Sequence, residues 1–236
     1  IYITKYMALN KHYLEDPTIL EIGADEAGRG PLFGRVYAAA VILPKDPASE
    51  FDFSQMKDSK KFHSKKKIAQ VAEYIKTNAV AWSVAYEDES VIDKINILQA
   101  TQSAMHKAIK SCIEIAEKKA LDGAPPTIQL LIDGNYFNSI TSYDKTRGQI
   151  KVVPHVCIEG GDNKYAAIAA ASILAKVSRD TYIEDLCAEN PELNEKYGIL
   201  SNKGYGAKKH MDGIREHGIT IWHRRSFGPC KEYGFF

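Results

Sequence analysis

Hydrophobic positions along the chain follow two periods in turn. Thr18–Ala24 is a short bounded apolar run that reads as a buried strand, and Arg35–Leu43, rich in Val, Ile and Ala, reads as a second. Ala79–Tyr86 supplies a third strand, and Ser64 ahead of it is a suitable N-cap for a helix running to about Asn78. Glu89–Ala120 carries Val91, Ile95, Leu98, Met105, Ile109 and Ile113 at helical spacing, a stretch too long for one ordinary helix without a break. Asp122-Gly123-Ala124-Pro125-Pro126 stops it. Thr127–Asp133 and Ile150–Ile158 read as further strands, with Pro154 placing the latter at an edge. Tyr165–Cys187 is an alanine-rich helix, and shorter helices fill the rest. Strands with short connections, then strands alternating with helices, predict a mixed α/β domain without internal repeats.

Composition narrows the class. Hydrophobic residues at 44% and charged residues at 26% exclude disorder and fibrous repeats. No apolar run approaches the roughly 18 residues of a membrane span. The first seven residues lack a signal peptide's apolar core, and the opening Ile suggests that Ile1–Tyr6 is an expression remnant before a native start at Met7. Cys112, Cys157, Cys187 and Cys230 are far apart with no CxxC pairing, which suits a reducing cytoplasm and argues against a zinc ribbon. The net charge of +1 counts against a partner held by bulk positive charge. That sum hides a distribution, however. Lys57–Lys67 carries six lysines and one acid, Lys203–Lys231 seven basic residues and two acids, and Glu184–Lys196 five acids and one lysine.

Candidate chemistry sits at strand ends. Asp25 and Glu26 close the first strand, Asp133 the fourth, and Asp162 follows the edge strand after Gly160-Gly161. Ligands gather beyond strand ends in open α/β sheets, and converging carboxylates need cations, with hard divalent metals the natural occupants. Asp162 ahead of a helix is equally an N-cap, and Asp133-Gly134 equally a turn. Gly28-Arg29-Gly30-Pro31-Leu32-Phe33-Gly34 has the wrong spacing for a dinucleotide fingerprint and leads into a strand instead of a helix. It reads either as a plain turn or as a tight loop whose backbone can approach a ligand closely, with Arg29 in reach of a phosphate.

These blocks occur in one order along the chain. Gly23-Ala24-Asp25-Glu26-Ala27-Gly28-Arg29-Gly30-Pro31-Leu32 is followed by Asp58-Ser59-Lys60-Lys61, Ile132-Asp133-Gly134-Asn135 and Gly161-Asp162 with Ile168–Val177 and Arg179-Asp180. Lys203-Gly204-Tyr205-Gly206 and His223-Arg224-Arg225-Ser226-Phe227-Gly228-Pro229 complete the series. In this the chain resembles type 2 ribonuclease H (ribonuclease HII) from about Ile22 to Lys231. The resemblance implies a ribonuclease H-like mixed sheet flanked by helices over residues 17–190, a short extension at 1–16, and a helical part at 191–236 that completes a substrate groove. It makes Asp25, Glu26, Asp133 and Asp162 the metal-binding acids, with two Mg²⁺ or Mn²⁺ ions. Gly28, Arg29 and Gly30 fall on the loop that recognises the 2′-OH at an RNA–DNA junction, and Tyr205 on the tyrosine that packs on the next sugar. Lys60 and Lys61 match its phosphate-contacting lysines, and Asn135 follows the third acid.

The implied activity is metal-dependent hydrolysis of RNA in RNA/DNA hybrids, with incision 5′ to single ribonucleotides in duplex DNA that leaves 3′-OH and 5′-phosphate ends. Lys164, Lys176, His223, Arg224 and Arg225 are further candidates for phosphate contact, alongside ordinary helix-surface roles. Two departures from the family pattern stand out: Gly160 where a lysine is usual, and Phe62 where leucine is. A type 3 ribonuclease H is the nearest rival, disfavoured by Arg29, by Asp162 and by only about twenty residues before the first acid. A non-catalytic duplex-binding module is disfavoured because four acids without metals would repel phosphate. A monomer in the cytoplasm is expected. Family members can bind a sliding clamp through a C-terminal peptide, but Gly228–Phe236 lacks a matching glutamine, so packing of Tyr233, Phe235 and Phe236 as a chain end is expected.

Overall fold

Five strands form the central sheet of the computed structural model, which describes residues 8–119, 126–144 and 148–233. In chain order these are β1 (Ile19–Ala27), β2 (Val36–Ile42), β3 (Ala81–Glu87), β4 (Thr127–Asp133) and, after a separate hairpin of β5 (Thr141–Asp144) and β6 (Gln149–Val152), β7 (His155–Ile158). The sheet order is β3-β2-β1-β4-β7, with β1–β2 and β2–β3 antiparallel and β1–β4 and β4–β7 parallel. This is the mixed sheet expected. Every residue of β2 is buried, which explains its unbroken apolar run. The stretch Ile150–Ile158 is two strands instead of one. Pro154 cannot donate to a ladder, and the chain leaves the β6 hairpin there to enter the main sheet at its edge.

Helices cover both faces. Helix α2 (Glu89–Lys119) lays Ala104, Met105, Ala108, Ile109 and Cys112 on Ile22, Ala24, Ala38, Ala40, Leu130 and Ile132. The opposite face, through Ala39 and Val41, meets α1 (Lys65–Asn78) and α3 (Ala166–Glu189). The alanines of α3 permit a very close approach: a Cβ on Gly23 would lie 2.2 Å from the Ala167 carbonyl carbon. The break expected in α2 falls at Asn96, at φ 66 and ψ 163, whose side chain accepts from the Gln99 N–H at 3.1 Å and so caps the resumed helix. Ser64 caps α1 by accepting from the Lys67 N–H. The Asp122–Pro125 stop lies outside the described residues.

The C-terminal part consists of α4 (Glu192–Tyr197), α5 (Ile199–Asn202), α6 (Lys208–His217) and a 3-10 segment over Gly228–Tyr233. Leu193, Tyr197, Ile199 and Ile214 form a third apolar cluster around Phe33 of the β1–β2 connection and Ile183 of α3. This anchors the helical part beside the glycine-rich loop. The Tyr233 hydroxyl donates to the Ile214 carbonyl at 2.6 Å, so the chain end packs as expected as far as it is described; Phe235 and Phe236 lie outside the described residues. No helix among the described residues is long and apolar enough to cross a membrane.

Candidate active site

Strand register brings the acids together. Ala24 pairs with Ile132, so the next step along each parallel strand sets Asp25 beside Asp133, and Asp133 pairs with Ile158 of β7. Four residues beyond Ile158, Asp162 occupies a buried 3-10 turn, Gly161–Asn163. The Gly161 N–H donates to Asp133 Oδ1 at 2.7 Å, tying the third acid to the turn that carries the fourth. A Cβ on Gly161 would fall 2.5 Å from Ile168 Cδ1 and 3.3 Å from Asp133 Oδ1, so Ile168 would have to shift to admit one. Asp162 thus sits in the turn before α3 rather than at its N-cap, which is Tyr165. At Gly160, in the left-handed region at φ 61, a Cβ would meet nothing within 4 Å, so the lysine missing from this position is not excluded by crowding.

The carboxylates raise one another's proton affinity. Burial, then the charges of Glu26 and Asp133, hold the Asp25 carboxyl well above its ordinary value, against hydrogen bonds from Ser172 and the Glu26 N–H. Burial raises Glu26 despite Arg29, and burial with Asp58 and Asp133 raises Asp162. Such a set favours a bound cation. Among the described residues no three acidic, cysteine or histidine side chains close on one point as a finished cage. Mg²⁺ is commonly held by one or two carboxylates and completes its shell with water and substrate phosphate. An oxygen-only donor set suits Mg²⁺ or Mn²⁺.

Sequence reasoning missed the polar frame around these acids. Asn163 donates to Asp58 Oδ2 at 3.2 Å and to Asp162 Oδ1 at 3.0 Å, while its carbonyl oxygen accepts from Lys61. Asp58 also caps the turn Ser59–Lys61 by accepting from the Lys60 N–H at 2.8 Å, which leaves the Lys60 side chain exposed. Behind the acids Ser172 and Ser59 share a buried hydroxyl contact of 3.0 Å. The adjacency Asp162-Asn163 was the only available signal, and an asparagine after an acid is common. Phe62 packs on the core face and under the Lys57 ammonium, a packing role.

The glycine-rich loop stands beside the acids, with Arg29 Nη1 at 3.3 Å from Glu26 Oε1. Arg29 and Gly30 are exposed, and Tyr205, 52% exposed, lies against Gly30, where a Cβ would meet the Tyr205 ring at 3.3 Å. The structure therefore brings Gly28, Arg29, Gly30 and Tyr205 into one surface next to the acids. Asn135 and Lys164 are exposed near the ends of their elements.

Two of the expected phosphate contacts are corrected. His223 and Arg224 are buried, not surface groups. The Thr220 N–H donates to His223 Nδ1, His223 Nε2 meets His210 Nε2 at 3.0 Å, and His210 Nδ1 donates to the Tyr205 carbonyl at 2.9 Å. Burial pulls His223 down to about 3, so this chain of neutral rings fixes the Tyr205 backbone. Arg224 gives its guanidinium to loop carbonyls, and burial with neighbouring Arg179 lowers it to about 9. Lys176 pairs with Asp180 at 2.6 Å along α3. Arg225 is half-buried, its N–H donating to Asp93 at 2.9 Å.

Known proteins resemble the chain in sequence and in fold. The ribonuclease HII family profile matches residues 22–230. A ribonuclease HII of Parabacteroides distasonis is 44% identical over 215 residues, covering 91% of this chain and 92% of that one. Another, of Bacteroides thetaiotaomicron, is 44% identical over 209 residues, covering 89% and 90%. Among solved structures, the ribonuclease H2 of Pyrococcus horikoshii superposes with a TM-score of 0.63 at 20% identity, covering 91% of this chain and 96% of that one. Bst-RNase HIII in complex with Mn²⁺ gives 0.61 at 20% identity, covering 91% and 69%. At such identities these two likenesses speak for the fold.

Proposed function

Because the chain belongs to the ribonuclease HII family, we propose that it incises duplex DNA on the 5′ side of an embedded ribonucleotide, leaving 3′-OH and 5′-phosphate ends. Membership makes it a ribonuclease H endonuclease acting on RNA/DNA hybrids; the proposal concerns the finer substrate and the chemistry. The observation that supports it is the placement of Gly28-Arg29-Gly30 and Tyr205 directly beside the acids, joined by the Arg29–Glu26 contact. A loop next to the scissile position can sense a 2′-hydroxyl, the group that separates RNA from DNA.

Asp25 and Asp133 would be the central metal ligands, with Glu26 and Asp162 completing two sites. Divalent ions bound there would supply an acidified water and charge neutralisation at the leaving oxygen. The chain's own residues do the rest. Asn163 holds Asp162 in place, and the Gly161 N–H holds Asp133. Lys60 and Lys61 would grip phosphate and set register, contacts that position without reading sequence. Asn135 would line the same groove. A sliding-clamp contact would use the C-terminal tail, Gly228–Phe236.

The test is Arg29→Ala assayed on a single-ribonucleotide duplex and on a continuous RNA/DNA hybrid. Cleavage at the single ribonucleotide should fall further than cleavage of the hybrid; equal losses would contradict junction reading.

A further inference from the structure

Arg224 lacks solvent exposure altogether, yet it carries five donors in a rigid fork. Nη2 donates to the Gly28 carbonyl at 2.6 Å, Nη1 to those of Arg29 at 3.0 Å and Pro31 at 2.8 Å, and Nε to that of Gly34 at 2.8 Å. Four carbonyls of one seven-residue stretch therefore turn inward onto one cation. Beneath them lies Arg179 of α3, which donates to Phe33 and Arg35 at 3.3 Å and to Lys203 at 2.9 Å. A Cβ on Gly28 would fall 2.1 Å from Arg179 Nε, so glycine is needed for the loop to settle on this support.

The peptides of the loop are trans. In a trans peptide the N–H points opposite to the preceding carbonyl. Carbonyls of Gly28 and Arg29 aimed at Arg224 thus turn the N–H groups of Arg29 and Gly30 away from it, in a stretch where both residues are exposed. A cation on the oxygen end also polarises each peptide, which strengthens its N–H as a donor. We propose that Arg224, supported by Arg179, is a positioning residue that presents the Arg29 and Gly30 N–H groups as the donors through which the loop recognises a ribonucleotide. This rests on the substrate reading above and adds the element that orients it. Lysine cannot replace arginine here, because one ammonium does not reach four carbonyls in a fixed fork.

The experiment compares Arg224→Lys with the unaltered enzyme, measuring kcat and KM on the single-ribonucleotide duplex and on a continuous hybrid, with a melting curve to establish folding. The expected result is a folded variant whose kcat/KM falls at least about tenfold further on the single ribonucleotide than on the hybrid. Equal proportional losses, or no loss, would overturn the proposal. Should Arg224→Lys fail to fold, Arg179→Lys is measured in its place with the same criterion. Amide NMR supplies a readout free of cleavage: the Arg29 and Gly30 N–H resonances should shift in the folded variant while those of β3 stay in place. Unmoved loop amides would also overturn it. If the unaltered enzyme ignores the single ribonucleotide, the substrate reading fails instead, and the amide resonances still judge the orienting role.

Discussion

Asp25 combines deep burial with two carboxylate neighbours, and its raised proton affinity links site to stability. Asp25, Glu26 and Asp162 are all raised, so the folded chain retains protons that the unfolded chain releases above roughly pH 4. Stability contributed by this retention is fully present in acid and is lost as pH climbs through the raised values. The metal-free protein should therefore lose this contribution as pH rises above roughly 4, melting at lower temperature at pH 8 than at pH 5, and Mg²⁺ should restore part of the loss. Asp25→Asn should raise the metal-free melting temperature at pH 8 by a few degrees while abolishing cleavage, the trade-off of a strained site. A melting point lowered by Asp25→Asn would contradict this. Asp133→Asn, assayed with Mg²⁺, should lose more than about a hundredfold in rate, beyond what supporting residues around metal ligands cost.

The four acids were legible as residues because three close apolar strands and the fourth, Asp162, follows the edge strand after two glycines. His223 and Arg224 were not, since a basic run gives no sign of which members turn inward. Their partners are backbone carbonyls and a second histidine, some of them about 190 residues away, and carbonyls carry no side-chain signature.

Elements were read well where one face decides the pattern. Thr127–Asp133 is β4 without change, and α1 starts at its serine cap. The failure came at Pro154, where two short strands of different sheets abut and no periodicity separates them. The β1–α3 contact was also invisible, because Gly23 reads as any strand glycine until α3 is seen against it. Gly23→Ala puts a Cβ into backbone and not into a movable side chain, so a loss of about 3 kcal/mol or more is expected. Urea denaturation would check it, and a cost below about 1 kcal/mol would show that the two elements can separate easily.

For the whole molecule, the charge of +1 conceals how the charged segments meet. Glu184, in the acidic run, accepts from Lys65 at 2.6 Å and from Lys203 at 2.7 Å, one lysine from each basic segment. Part of the basic charge is therefore spent internally, while Lys60 remains exposed beside Asp162. Binding to a duplex should weaken steeply with salt, and Lys60→Ala should lower the log–log slope by roughly 0.9 if it holds one phosphate. An unchanged slope would remove Lys60 from the interface. The measurement closest to the central claim maps cleavage on a DNA duplex with one ribonucleotide, in Mg²⁺, at single-nucleotide resolution. One cut immediately 5′ of the ribonucleotide, with 3′-OH and 5′-phosphate ends, is the predicted result; no cut there, or a cut on its 3′ side, would contradict it.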